Sequence, residues 1–175
     1  MKVLAVCASP RKNGNCDLLC SQLLKGAAES GNETDSVFLE DLALRPCRAC
    51  YACRESGRCI QKDRGSEVMR KLAEADVIVL ASPVYFYSVS AQMKTLIDRT
   101  LCCYTKLEGK RFVFILTGAG TKAELQRASE SLYGFSDCLP GSLVMKLIIA
   151  DGVYLKGDVR DTKAYYEAYM TGKNL

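Results

Sequence analysis

Five apolar runs of strand length, each followed by a stretch of helix length, constrain this chain more than any other feature. The runs are "KVLAVCA" (2–8), "TDSVFLE" (34–40), "DVIVLAS" (76–82), "KRFVFILTG" (110–118) and "SLVMKLIIA" (142–150). The helical stretches are "NCDLLCSQLLKGAAESG" (15–31), "GSEVMRKLAEA" (65–75), "VSAQMKTLIDRTLCC" (89–103), "KAELQRASESLYGFSDCL" (122–139) and "DTKAYYEAYMTG" (161–172). The runs at 2–8 and 76–82 read as strands covered on both faces, since neither has a polar alternation. In the first helix Leu18, Leu19, Gln22, Leu23 and Ala27 fall on related faces, and Gly31 is a stop signal. Repeated βα units predict a parallel sheet with right-handed crossovers and helices on both faces.

Five units are too few for an eight-stranded barrel. They suit a flavodoxin-like, doubly wound α/β sheet of order 2-1-3-4-5, in which ligands bind beyond the carboxyl ends of the strands. With 175 residues, no linker and no internal repeat, the chain is expected to form one domain over 1–175. The loops after the strands should therefore carry the chemistry. The first, "ASPRKNGNCD" (8–17), lacks both G-x-G-x-x-G and G-x-x-x-x-G-K-[ST]. It does place Ser9, Arg11, Lys12, Gly14 and Asn15 just ahead of a helix N-terminus, a combination suited to a phosphate dianion. A polar turn capped by Asn15 is the plainer reading. After the third strand, Tyr85, Phe86 and Tyr87 form an aromatic loop that suits a planar ligand or a partner, or folds back onto the core. "TGAGTK" (117–122) follows the fourth strand, and its glycines allow close approach of a ligand to the backbone.

The loop "RPCRACYACRESGRCIQKD" (45–63) carries four of the ten cysteines, spaced Cys47-x2-Cys50-x2-Cys53-x5-Cys59. Three thiols in a compact turn with a fourth nearby suit a [4Fe–4S] cluster, and Pro46 and Gly57 are turn residues that help such a loop wrap it. Structural zinc prefers two separated C-x2-C knuckles, which this spacing matches less well. Thiols that bind nothing are the third alternative. Cys7, Cys20, Cys102, Cys103 and Cys138 read as small core residues. The opening "MKVLAVCASPRK" meets Arg11 and Lys12 too soon for a secretory signal, so a reducing cytoplasm is the expected location. No apolar stretch is of membrane-spanning length. The net charge of +4 comes from scattered basic residues, which argues against a nucleic-acid surface.

"SPRKNGN" (9–15), "SPVYFYSVSAQMKTLIDR" (82–99), "TGAG" (117–120) and "GFSDCLPG" (134–141) resemble the flavodoxin-like NADPH-dependent FMN reductase family, and the cysteine loop resembles its iron–sulfur flavoprotein branch. The resemblance implies FMN as cofactor, with Ser9, Arg11, Asn15 and Cys16 at its phosphate. It implies Pro83, Val84, Tyr85, Phe86 and Ser88 against the isoalloxazine ring, helped by Thr117, Gly118 and Gly120. Cys47, Cys50, Cys53 and Cys59 would be the cluster ligands, close enough to the flavin for electron exchange. Two positions depart from the family pattern. Cys16 stands where Thr is usual, which predicts weaker phosphate binding because a thiol is a poorer donor. In "QKDRGSE" Asp63 keeps one of two usual acidic residues and Arg64 replaces the other.

The chain has no histidine, which removes Ser-His-Asp and Cys-His catalysis and histidine-ligated metals. A flavoprotein needs none of these, because the cofactor carries the redox chemistry. The implied reaction is electron transfer from NAD(P)H, or a reduced carrier, through FMN to a small-molecule or protein acceptor. A non-enzymatic electron carrier and a thiol-based redox or metal sensor are the alternatives. Family members pair or tetramerise, so a homodimer or homotetramer is implied, with the 85–87 loop and "YYEAYM" as contact surfaces unless Tyr165 and Tyr169 face the core.

Overall fold

The computed structural model describes all residues, 1–175. Its strands are β1 (Lys2–Cys7), β2 (Glu33–Phe38), β3 (Val77–Tyr85), a two-residue β4 (Ser88–Val89), β5 (Arg111–Thr117) and β6 (Leu143–Ala150). The helices are α1 (Asn15–Glu29), α2 (Cys53–Ser56), α3 (Gly65–Glu74), α4 (Ala91–Arg99), α5 (Lys122–Gln126), α6 (Ser129–Asp137) and α7 (Lys163–Lys173). Five strands pair in parallel in the order β2-β1-β3-β5-β6, and β4 pairs antiparallel with the end of β3. With β4 set aside, this is the expected doubly wound order.

Side chains alternate across a strand, so an uninterrupted apolar run supplies both faces of the sheet. Leu4, Val6, Ile78, Leu80, Phe112 and Phe114 point to one face, where Leu72 of α3, Met93 and Leu96 of α4 and Leu132 of α6 cover them. Val3, Ala5, Val77, Val79, Val113 and Ile115 point to the other, beneath Leu19, Leu23 and Ala27 of α1 and Ala164 and Ala168 of α7. On that second face α1 and α7 touch backbone to backbone through glycines. A Cβ on Gly26 would press on the Tyr169 carbonyl and stand 2.8 Å from the Lys173 nitrogen, and one on Gly172 would stand 2.9 Å from the Ala27 nitrogen.

Several local expectations are corrected. β3 continues through Tyr85, and Phe86 and Tyr87 form the two-residue turn of a hairpin rather than a long loop. Both have positive φ, 48° and 61°, the conformation that tight hairpin turns demand and that usually selects Asn or Gly. The helix expected over 122–139 is two, α5 and α6, and the stretch 89–103 leaves the α-helix at Arg99 for 3₁₀ turns over Thr100–Leu107. Cys7, Cys20, Cys102 and Cys103 are buried as expected, but Cys138, at the end of α6, is exposed. Tyr165 and Tyr169 turn toward α1, bonding Gln22 and Glu29, while Tyr166 faces solvent. No helix is long and apolar enough to cross a membrane.

Candidate functional site

At the carboxyl ends of the strands a cleft opens, lined by fifteen residues. Four connections form it. The β1–α1 turn contributes Ser9, Arg11, Gly14, Asn15 and Cys16, and the end of β3 contributes Pro83, Val84 and Tyr85. Thr117, Gly118 and Ala119 follow β5, and Val153 to Lys156 follow β6. Backbone bonds zip the last two connections together: Val153 N donates to Gly118 O at 3.0 Å and Gly152 N to Gly120 O at 3.1 Å.

The amino end of α1 is open toward this cleft. Leu18 N is the first amide of the helix with a backbone acceptor, so those of Asn15, Cys16 and Asp17 have none. Such amides, with the positive end of the helix dipole, attract an anion. Ser9 accepts from Arg11 N at 3.1 Å, which curls the turn around them. Arg11 remains exposed and donates to the Tyr154 carbonyl at 3.2 Å. Asn15 does not cap the helix: its amide donates to Leu155 O at 3.0 Å, and its Oδ1 accepts from Gly157 N and Val159 N. It ties the β6 connection to the first turn. The Cys16 sulfur lies 3.1 Å from Thr117 Oγ1, and burial pushes its thiol well above the ordinary range. What Cys16 offers the cleft is its backbone amide.

Nine of the twelve flavin-site residues named from the sequence thus line one cleft. Phe86 and Gly120 line an adjoining depression with Tyr87, and Ser88 lines neither of the two. Phe86 is fully exposed, and Tyr87 is stacked by Arg127, 4.1 Å from the ring centroid. The β6 connection, Val153 to Lys156, was missed by the sequence reading. Gly152 and Gly157, both with positive φ, bracket it just past the fifth strand, and that was the available signal. Two buried serines also position the cleft. Ser90 caps α4 and donates to Ala8 O at 2.9 Å, and Ser82 accepts from Ser90 N at 2.9 Å.

Cys47, Cys50, Cys53 and Cys59 together line a second, separate cavity, with Asp98, Arg99, Leu101 and Cys102 as its far wall. No three of these groups converge as ligands of one ion. Ala49 and Tyr51, which flank Cys50, both have positive φ (49° and 55°), and Gly57 ends α2 at 63°. Paired left-handed residues without glycine are strained and collect at ligand clamps. Burial pushes the Cys53 thiol up, and the neighbouring Cys102, Cys59 and Cys47 push it the same way. Cys102, read from the sequence as core alone, has its thiol drawn down, first by Cys103 and also by the Cys59 amide and the Arg99 charge.

Arg99 closes the neck of the cysteine loop. Its Nη1 donates to Asp63 Oδ2 at 2.7 Å and to Arg45 O at 2.8 Å, and its Nη2 donates to Asp63 Oδ1 at 2.9 Å. Asp63 also accepts from Arg45 N and Gly65 N. The Arg99 side chain is 1% exposed, and its Nε is buried with no partner. An orphaned buried donor beside a cavity lined by the four loop thiols and Cys102 fits a site for an anionic, thiolate-bound centre.

Ser90 starts α4 at the carboxyl end of β1, and nine residues of helix carry the chain about 13 Å away before Arg99 is reached.

Residues 1–145 match the family model of NADPH-dependent FMN reductase. An iron–sulfur flavoprotein of Methanosarcina thermophila is 34% identical over 76% of this chain and 71% of its own length. Another, from Methanocaldococcus jannaschii, is 47% identical over 57% of this chain, a match that spans about half of that relative (52%). Among solved structures, an NAD(P)H:quinone oxidoreductase from Methanothermobacter marburgensis superimposes with TM-score 0.76 over 99% of this chain and 95% of its own, at 15% identity. An FMN-dependent NADH-azoreductase from Bacillus anthracis gives 0.75 over 99% of both chains, also at 15% identity.

Proposed function

Because the chain belongs to the NADPH-dependent FMN reductase family, we propose that it is an FMN-dependent oxidoreductase. In this reading it passes electrons from NAD(P)H, or a reduced carrier, to a small-molecule or protein acceptor. One observation carries the reading: Asn15 and Cys16, whose amides are unpaired, share a cleft with Ser9, Arg11 and the wall Pro83–Tyr85. The amides and Arg11 would hold the phosphate, and Asn15 keeps the β6 connection in place around it. Pro83 pairs side by side with Thr117 on the neighbouring strand, so Pro83, Val84 and Tyr85 with Thr117, Gly118 and Ala119 make a continuous lining suited to a flat ring, and the glycine lets it approach the backbone. Bound FMN supplies the redox chemistry that these side chains lack. The Cys16 thiol, held protonated by burial, is no nucleophile here.

The cysteine cavity is proposed to hold a [4Fe–4S] cluster on Cys47, Cys50, Cys53 and Cys59, supported by the shared cavity, the strained turn and relatives named iron–sulfur flavoproteins. A homo-oligomer is proposed on the fully exposed Phe86 and the exposed Tyr154 and Leu155 beside the cleft. The test is anaerobic reconstitution with FMN, iron and sulfide, followed by NADH or NADPH. Flavin bleaching with four iron atoms per chain supports the whole reading. FMN uptake without bleaching by either nucleotide favours a flavodoxin-type carrier, FMN uptake without iron removes the cluster, and failure to bind FMN overturns the assignment.

A further inference from the structure

We propose that Arg99, held by Asp63, is the fixed positive group and hydrogen-bond donor of the cysteine site, and sets how readily an iron–sulfur centre there accepts an electron. The inference rests on the reading that the four loop thiols hold such a centre.

Three observations carry it. Arg99 lines the cysteine cavity and Asp63 does not, so the positive end of the pair meets the thiols and the negative end stands behind it. The fork is fixed, since both terminal nitrogens are committed to Asp63 and Arg45, and the side chain is buried. One donor is left over, because Nε has no acceptor among the protein's own atoms. A guanidinium stays charged in this setting, and a buried N–H is seldom left without an acceptor. Arg99 lines the cavity together with Cys59 and Cys102, and the Cys102 thiol donates to the Arg99 carbonyl at 3.3 Å. A cluster bound by four thiolates is a net anion that gains further negative charge on reduction. Its potential follows net charge, hydrogen bonds to sulfur and exposure to solvent, and Arg99 acts on the first two. Arg99 is a positioning and tuning residue and takes no part in the exchange of electrons itself.

The test uses the full chain, reconstituted anaerobically with FMN, iron and sulfide. It reads iron per chain, FMN per chain and the midpoint potential of the cluster followed by electron paramagnetic resonance. The Asp63→Asn variant leaves the Arg99 charge unscreened, so reduction should become easier. The double variant Asp63→Asn/Arg99→Gln removes both charges, and its reduction equilibrium should fall about tenfold below the parent's, or about 59 mV for a one-electron couple. Opposite shifts from the two variants are not produced by a merely structural role. Equal potentials in parent and both variants, with the cluster loaded, overturn the proposal. Arg99→Lys keeps the charge but neither the fork nor Nε, and should lose at least half its iron while FMN stays bound. Parent-like iron and potential in this variant overturn the donor role. A parent that binds FMN but takes up no iron removes the cluster reading and this inference with it, a failure distinct from unchanged potentials in loaded variants.

Discussion

Replacing Gly26 by Ala sets two effects of known sign against each other. In a helix interior Ala is favoured over Gly by about 0.8–1.0 kcal/mol. At this position the new methyl has no room: it presses on the Tyr169 carbonyl and stands 2.8 Å from the Lys173 nitrogen. Both are backbone atoms of α7, so no rotamer change relieves the overlap, and the two helices must separate. Overpacking of this kind costs about 1–3 kcal/mol, and a clash between backbones belongs at the upper end. The net expectation is destabilisation by about 1–2 kcal/mol, or a fall in Tm of roughly 2–8 °C for a chain of this size. Gly134 supplies the control, because it lies inside α6 with nothing within 4 Å of an added Cβ. Gly134→Ala should gain up to about 1 kcal/mol from propensity alone. Thermal and urea denaturation of the two variants decide the matter. If Gly26→Ala is as stable as Gly134→Ala, the close approach of α1 and α7 is wrong.

Arg11→Ala should weaken FMN binding about 10- to 100-fold, the loss of a charge-assisted bond worth roughly 1.5–3 kcal/mol, while the apo protein melts as before; isothermal titration with FMN checks both the loss and its size. Cys16→Thr should change FMN affinity less than about threefold, because the side chain faces Thr117 and the amide faces the cleft; a tenfold gain would mean that the hydroxyl reaches the phosphate. Asp63→Ala leaves Arg99 buried and unpaired and should cost about 3–5 kcal/mol in urea denaturation at neutral pH. The Arg99 guanidinium holds the Asp63 carboxyl well below the usual range. Its stabilisation is therefore complete above the unfolded value near pH 4 and is lost only as pH falls through the lower folded one. The stability gap between parent and Asp63→Asn should stay constant from pH 8 to about 4 and narrow below that; a gap that closes between pH 7 and 5 contradicts the ion pair. Replacing the hairpin turn, Phe86→Asn with Tyr87→Gly, should relieve about 1–2 kcal/mol of left-handed strain per residue, less what the Arg127 stack contributed, and raise Tm. If the exposed aromatic serves an acceptor or a partner copy, turnover or self-association measured alongside falls as Tm rises.

The sheet was legible because its signal is repeated: an apolar run such as Val77–Ala81 has only one environment that suits it, and several such runs in βα alternation leave few topologies. The first and fourth loops were legible for a related reason, since the end of a parallel strand fixes where Ser9 and Thr117 must lie. Contacts between distant residues were not. Nothing local to Asn15 shows that its amide will bond Leu155 and Val159, or that Arg99 will fasten Arg45 to Asp63. Phe86 and Tyr87 misled because residue type argues against a tight turn there, and only the pairing of Tyr85 with Ser88 reveals one.

The fork that fastens Arg45 to Asp63 joins residues eighteen apart, and this has a bearing on how the protein matures. Closing a chain of that length costs about 2–3 kcal/mol in entropy. Under the proposed cluster reading, folding of the sheet would bring Arg99 into place and meet that cost before iron binds. The segment between becomes a tethered appendage whose thiols are already at high effective concentration toward one another. If it holds the proposed cluster, such an appendage would be filled and emptied while the strands stay closed. Amide exchange should then show protection in β1, β3 and β5 that is indifferent to iron, with the difference between filled and empty protein confined to residues 46–62.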